Sequence, residues 1–244
     1  MIRISLFCTI AAFAVMSCTE KNNNKEVKKT TGRVTQTNSI MKKELNNDLP
    51  TIGILIFEGV IINEVIAPLD VFSGKNSEDK KLFNVILIAK ENKTYTSANG
   101  LKVQPDYTIG EVPTLKVLVV PSSYEPKNQT SDKVLVDFII KQNQTTDYMA
   151  SHCAGAWLIG EAGIADHKEI VTYVTGGDYL KIDYPNLKVA DDSNVSVVQD
   201  GKFISSNGSL VSYIASFDLL EKLTSKEHRQ FVEASILFDR IKQQ

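Results

Sequence analysis

The chain has 244 residues, 43% of them hydrophobic and 23% charged, which supplies a sizeable core for one domain and excludes disorder throughout. With 27 Lys+Arg against 29 Asp+Glu, and a formal net charge of -2, it lacks the electrostatic footprint of a DNA- or RNA-binding protein. Three cysteines are too few for a disulfide framework, so their positions carry the information.

Residues 1–17 place one cation, Arg3, before an apolar run too short to span a bilayer, and end in Val15-Met16-Ser17, just before Cys18. This reads as a lipoprotein signal peptide, with Cys18 as the acylated N-terminus and an ordinary secretory signal as the alternative. Residues 18–50 then read as a disordered tether, because Asn22-Asn23-Asn24, Lys28-Lys29 and Asn46-Asn47 leave little apolar surface to offset ordering entropy. The expected destination is the cell envelope, on the outer membrane or periplasmic face, with the membrane a partner through the lipid anchor.

From Thr51 to the end, residues 51–244, short apolar runs alternate with amphipathic stretches, the pattern of an α/β three-layer sandwich with a mostly parallel, flavodoxin-like sheet. Strands are expected at 51–57, 83–89 and 116–120, with a helix at 61–72 between the first two. Asn99-Gly100 supplies a tight turn for a hairpin over 94–106. A helix at 133–142, with Val134, Val136, Phe138, Ile139 and Ile140 mostly inward, leads to a strand at 147–151. Beyond residue 163 come extended pieces at 169–173, 187–190 and 195–199, a short helix near 178–182, and a turn at Asp200-Gly201 into residues 203–206. Helices at 210–223 and 226–241 close the domain.

Cys153 falls where the fourth of these strands meets a helix, in Ser151-His152-Cys153-Ala154-Gly155. A nucleophile on such an elbow needs small residues two before and two after it, and Ser151 and Gly155 satisfy that. A helix start is also expected to lower the thiol pKa. The competing reading is a buried structural cysteine.

Phe57-Glu58-Gly59-Val60, Glu64, Ala67-Pro68-Leu69-Asp70-Val71-Phe72, Val117-Leu118-Val119-Val120-Pro121, Ser151-His152-Cys153-Ala154-Gly155-Ala156 and Ala162-Gly163 together resemble the ThiJ/PfpI superfamily of glutamine amidotransferase-like folds. The branch is similar to isonitrile hydratases and to the N-terminal domains of AraC-type regulators. The resemblance, over residues 51–224, implies that Glu64 contacts the Cys153 thiol and handles its proton, whereas a solvated helix residue is what Glu64 would otherwise be. It implies an oxyanion pocket around Ala154, Ser122 and Ser123, where relatives carry Gly-Gly in place of the two serines. It places Tyr173 where related members carry a histidine, so a full Cys-His-acid triad is not expected. His152 is a weaker candidate base because neighbouring side chains at a strand end point apart.

Two functions follow. One is a cysteine-dependent hydratase, hydrolase or lyase acting on a small electrophile of the isonitrile or carbonyl class. The other is a small-molecule-binding or thiol redox-sensing lipoprotein without turnover. No cofactor or metal is expected, since Asp191-Asp192 matches no ligand spacing. A homodimer is a further expectation, and Asn207-Gly208 reads as a turn that opens the next helix.

Overall fold

The structure is a computed structural model that describes residues 42–241. The expected signal peptide, Cys18 and the tether up to residue 41 lie outside the described residues.

In chain order the strands are β1 (Thr51–Leu55), β2 (Asn84–Ala89), β3 (Tyr95–Thr96), β4 (Lys102–Val103), β5 (Tyr107–Thr108), β6 (Val117–Val120), β7 (Tyr148–His152), β8 (Glu169–Ile170), β9 (Lys188–Val189), β10 (Val197–Asp200) and β11 (Phe203–Ser206). The helices are α1 (Asn63–Ser73), α2 (Pro126–Thr130), α3 (Lys133–Asn143), α4 (Gly155–Glu161), α5 (Gly177–Asp183), α6 (Val211–Leu223), α7 (Lys226–Ser235) and α8 (Phe238–Ile241). Seven strands form one sheet in the order β10-β11-β7-β6-β1-β2-β5, parallel except for the antiparallel β10–β11 pair. The α/β class with a mostly parallel sheet is as expected.

The apolar runs explain the sheet's centre. Every residue of β1 and of β6 is buried, as a parallel strand covered on both faces requires. From β1 the chain steps outward through β2 to β5, then returns to β6 and steps the other way to β7 and β11. Right-handed crossovers in opposite directions put α1 and α3 on opposite faces, which gives three layers. On one side α1 packs with α6, and α6 with α7; on the other α4 packs with α2 and α3. The reversal of strand order lies between β1 and β6, where loops leaving the carboxyl ends of the strands diverge and open a crevice.

Several boundaries differ from the sequence reading. α3 turns Leu135, Phe138, Ile139 and Gln142 inward, while Val134 and Ile140 are exposed; the buried set follows the helical period rather than simple apolarity. The single helix expected at 226–241 is broken into α7 and α8 at Leu237, whose φ is 62°. The extended piece at 169–173 is a strand only over β8. The short elements β5 and α2 carry too few residues to show a period.

The expected tether also ends earlier than residue 50. Leu45 packs against the core, Lys43 Nζ donates to Val85 O at 2.7 Å, and Tyr107 Oη donates to Lys43 O at 2.7 Å. The Asn84 side chain accepts from Asn46 N at 3.0 Å and donates to Asn46 O at 2.9 Å. Residues 42–50 therefore form a strap across the amino-terminal ends of β1 and β2.

Candidate active site

Four loops at the carboxyl ends of β1, β6, β7 and β11 meet in one place. The loop after β1 is tied to the loop after β6 by Ile61 N donating to Ser122 O at 2.8 Å and by an antiparallel bridge between Val60 and Ser123. This fixes the start of α1, whose second residue is Glu64. Pro68 lies inside α1, and the helix continues through it to Ser73.

The elbow has the expected geometry. Cys153 adopts φ 52°, in the left-handed region, a strain of about 1 to 3 kcal/mol that persists only where its surroundings impose it. Gly155 is required because a Cβ there would lie 2.3 Å from Val120 O of β6. Cys153 N donates to Ser206 O at 2.8 Å, and Thr172 Oγ1 donates to Cys153 O at 2.9 Å, so both backbone groups of the strained residue are held.

Glu64 is fully buried. Its Oε2 accepts from Ser122 N at 2.7 Å, its Oε1 from Ser209 N at 3.4 Å, and a Cβ placed on Gly208 would lie within 2.5 Å of both Glu64 Oε1 and Cys153 Cβ, which sets the carboxyl beside the thiol. Burial raises the Glu64 pKa, against the opposing pull of the Ser122 and Ser209 contacts. Burial, and next the Glu64 carboxylate, push the Cys153 thiol up to about 11, outweighing the Ser122 hydroxyl and the Ala154 backbone N–H that favour the thiolate. The helix start is thus too weak to give the lowered thiol pKa expected from sequence. Instead the thiol keeps its proton beside a buried carboxyl, and a protonated thiol becomes a nucleophile only if a base removes that proton.

The other candidates separate into two groups. Ala154 N–H and the Ser122 hydroxyl sit at the sulfur, and Ser122 Oγ is buried without a hydrogen bond of good geometry to any protein group. The Ser122 backbone amide is already spent on Glu64, which leaves the hydroxyl as the donor this residue can offer. Tyr173 is half-buried, stacked on Trp157 with ring centroids 5.5 Å apart, and close enough to Cys153 for a thiolate to raise its pKa further than burial already does.

His152 and Ser123 belong elsewhere. His152 Nδ1 is paired with Ser206 Oγ at 2.8 Å, and burial pushes the imidazole down to about 3, leaving it neutral and without a hydrogen bond to the thiol. Ser123 Oγ donates to Gln129 Oε1 and lines a separate hollow of about 400 Å³ with Glu58, Gly59, Tyr124 and Asn128. The residues that sequence reasoning missed are Thr172 and the run 206–209, which touch the pair from the far side. The small residues around Asn207-Gly208 were the available signal.

An open parallel sheet with a strained cysteine elbow and a buried carboxyl at its switch point defines a class of α/β proteins built around one thiol. The DJ-1/PfpI family model matches residues 50–222, and the chain belongs to that family. It is 26% identical over 185 residues to the isonitrile hydratase of Pseudomonas putida, covering 76% of this chain and 77% of that one. Among solved structures, a THiJ/PfpI family protein from Pseudomonas syringae superposes with TM-score 0.69 at 19% identity, covering 83% of this chain and 84% of that one. Drosophila melanogaster DJ-1beta gives TM-score 0.67 at 20% identity, covering 78% of this chain and 98% of the other.

Proposed function

We propose that the protein is a cysteine-dependent hydratase for a small electrophile, with an isonitrile as the first substrate to test. The observation that carries this is the buried Glu64 carboxyl set beside the strained elbow thiol, the two meeting at Gly208. Glu64 takes the thiol proton as sulfur bonds to the isonitrile carbon, and that proton then passes to the same carbon. The product is a thioimidate in which carbon is joined to sulfur, hydrogen and nitrogen. Water adds to this carbon, the carbon–sulfur bond breaks, and an N-substituted formamide leaves while the thiol regains its proton. The net reaction is addition of one water. The Ser122 hydroxyl and the Ala154 amide receive the charge that develops beside the sulfur.

The kinship to an isonitrile hydratase supports the substrate class. A redox sensor calls for an exposed thiolate of low pKa, and a thiol pushed up to about 11 counts against that alternative.

The test is formation of the formamide from an alkyl isonitrile by the purified domain. Cys153→Ser abolishes turnover, and Glu64→Gln lowers kcat by about 10² or more, the usual worth of a general base. Turnover that survives in Cys153→Ser eliminates the proposal.

The same reading places the domain in the cell envelope through an acylated Cys18, supported by Val15-Met16-Ser17-Cys18. Among the described residues no helix is long and apolar enough to cross a membrane. Incorporation of labelled palmitate in cells, lost in Cys18→Ser, is the expected result; equal labelling of both chains rejects the anchor.

A further inference from the structure

We propose that the turn 206–209, between β11 and α6, is the positioning device of the Cys153–Glu64 pair. Ser206, Asn207 and Gly208 set how closely the carboxyl approaches the thiol. This rests on the pair assigned above and adds residues that act through it.

Each of the four consecutive residues holds a different part of the pair. Ser206 O receives Cys153 N–H at 2.8 Å, an extension of the parallel register that aligns Ser206 with His152. The Asn207 side chain donates to Thr172 O at 2.6 Å, and Thr172 in turn holds Cys153 O. Gly208, at φ +85°, lies where a Cβ would come within 2.4 Å of Cys153 Cβ and 2.5 Å of Glu64 Oε1, so it touches both members at once. Ser209, itself at φ 50°, offers its N–H to Glu64 Oε1.

The left-handed turn at 208 and 209, strained at Ser209, needs an anchor, and His152 supplies it. Ser206 Oγ accepts from Gly208 N at 3.2 Å and pairs with His152 Nδ1 at 2.8 Å. The same hydroxyl thus joins Gly208 to the buried, neutral His152 ring. Ser206 and His152 are almost completely buried, so the chain His152–Ser206–Gly208 has no water to compete with it. The histidine beside the thiol thereby acts through the loop rather than on the proton of Cys153.

The experiment is the pH dependence of Cys153 alkylation by iodoacetamide, with thermal unfolding measured on the same samples. Loosening the turn draws the carboxylate away from the sulfur, and both causes of the raised thiol pKa weaken together. Asn207→Ala is expected to lower the alkylation midpoint by about one pH unit. In a Glu64→Gln background, where no carboxylate remains to be positioned, the same substitution is expected to shift the midpoint by less than half as much. Ser206→Ala, measured in the same way, is the second variant should Asn207→Ala not fold. A merely structural turn would lower the melting temperature and leave the midpoint in place. That result, or equal shifts in both backgrounds, overturns the proposal. If Glu64→Gln alone leaves the midpoint at the wild-type value, the Cys153–Glu64 pair fails, and the proposed function with it.

Discussion

At the scale of single residues, the chemistry is set by two buried groups that act on each other in opposite senses: the carboxylate opposes the thiol's ionisation, while the thiol favours the carboxylate. Burial raises both the Glu64 carboxyl and the Cys153 thiol, and the carboxylate raises the thiol further. Glu64→Gln removes that charge while keeping the side chain's size. Its alkylation midpoint is expected to fall below that of the wild type even as turnover is lost. A midpoint that rises instead would mean the carboxyl stabilises the thiolate. Cys153 was legible because an elbow demands small neighbours at fixed offsets, which are local facts. Glu64 became a candidate only through the family pattern, since 89 positions separate it from Cys153 in the sequence. Ser206 could not be recognised because its contact depends on the pairing of β11 with β7, and Thr172 because it meets Cys153 O from 19 positions away; no short-range pattern encodes either.

At the scale of elements, the elbow depends on how near α4 may start to the end of β6. A methyl group at Gly155 would meet backbone oxygen of Val120 and Pro121 rather than a side chain able to move aside. Gly155→Ala is therefore expected to cost about 2 to 3 kcal/mol as overpacking, visible as a drop of several degrees in melting temperature; an unchanged value would show that α4 shifts freely. The strands were readable from sequence because both faces of a parallel strand are covered and its residues are uniformly apolar, as in β1 and β6. The break between α7 and α8 was not readable, because Leu237 offers no glycine or proline to announce its left-handed conformation. The strap was hidden by its composition: Asn46 and Lys43 look like solvated linker residues, yet they satisfy backbone and side-chain groups at the start of β2.

At the scale of the whole molecule, the raised thiol couples the site to folding. Cys153 titrates at about 11 in the folded chain against an ordinary 9.0, so below pH 9 the group is neutral in both states and exerts no effect. Between pH 9 and 11 the unfolded chain releases the proton first, and stability falls as pH rises. Two units correspond to about 2 to 3 kcal/mol. Cys153→Ala is expected to flatten this part of the stability curve, followed by urea denaturation at pH 8, 9, 10 and 11. Equal slopes for the two chains would show that the thiol titrates normally.

The strap grips one pole of the sheet, beside Asn84 and Val85, while the reactive sulfur stands past the opposite ends of the strands, beyond His152. A five-residue strand such as β1 spans about 17 Å. The two ends of the strands can therefore be altered independently: a substitution in the strap changes how the sheet is closed off at its start and leaves the groups that hold the sulfur in place.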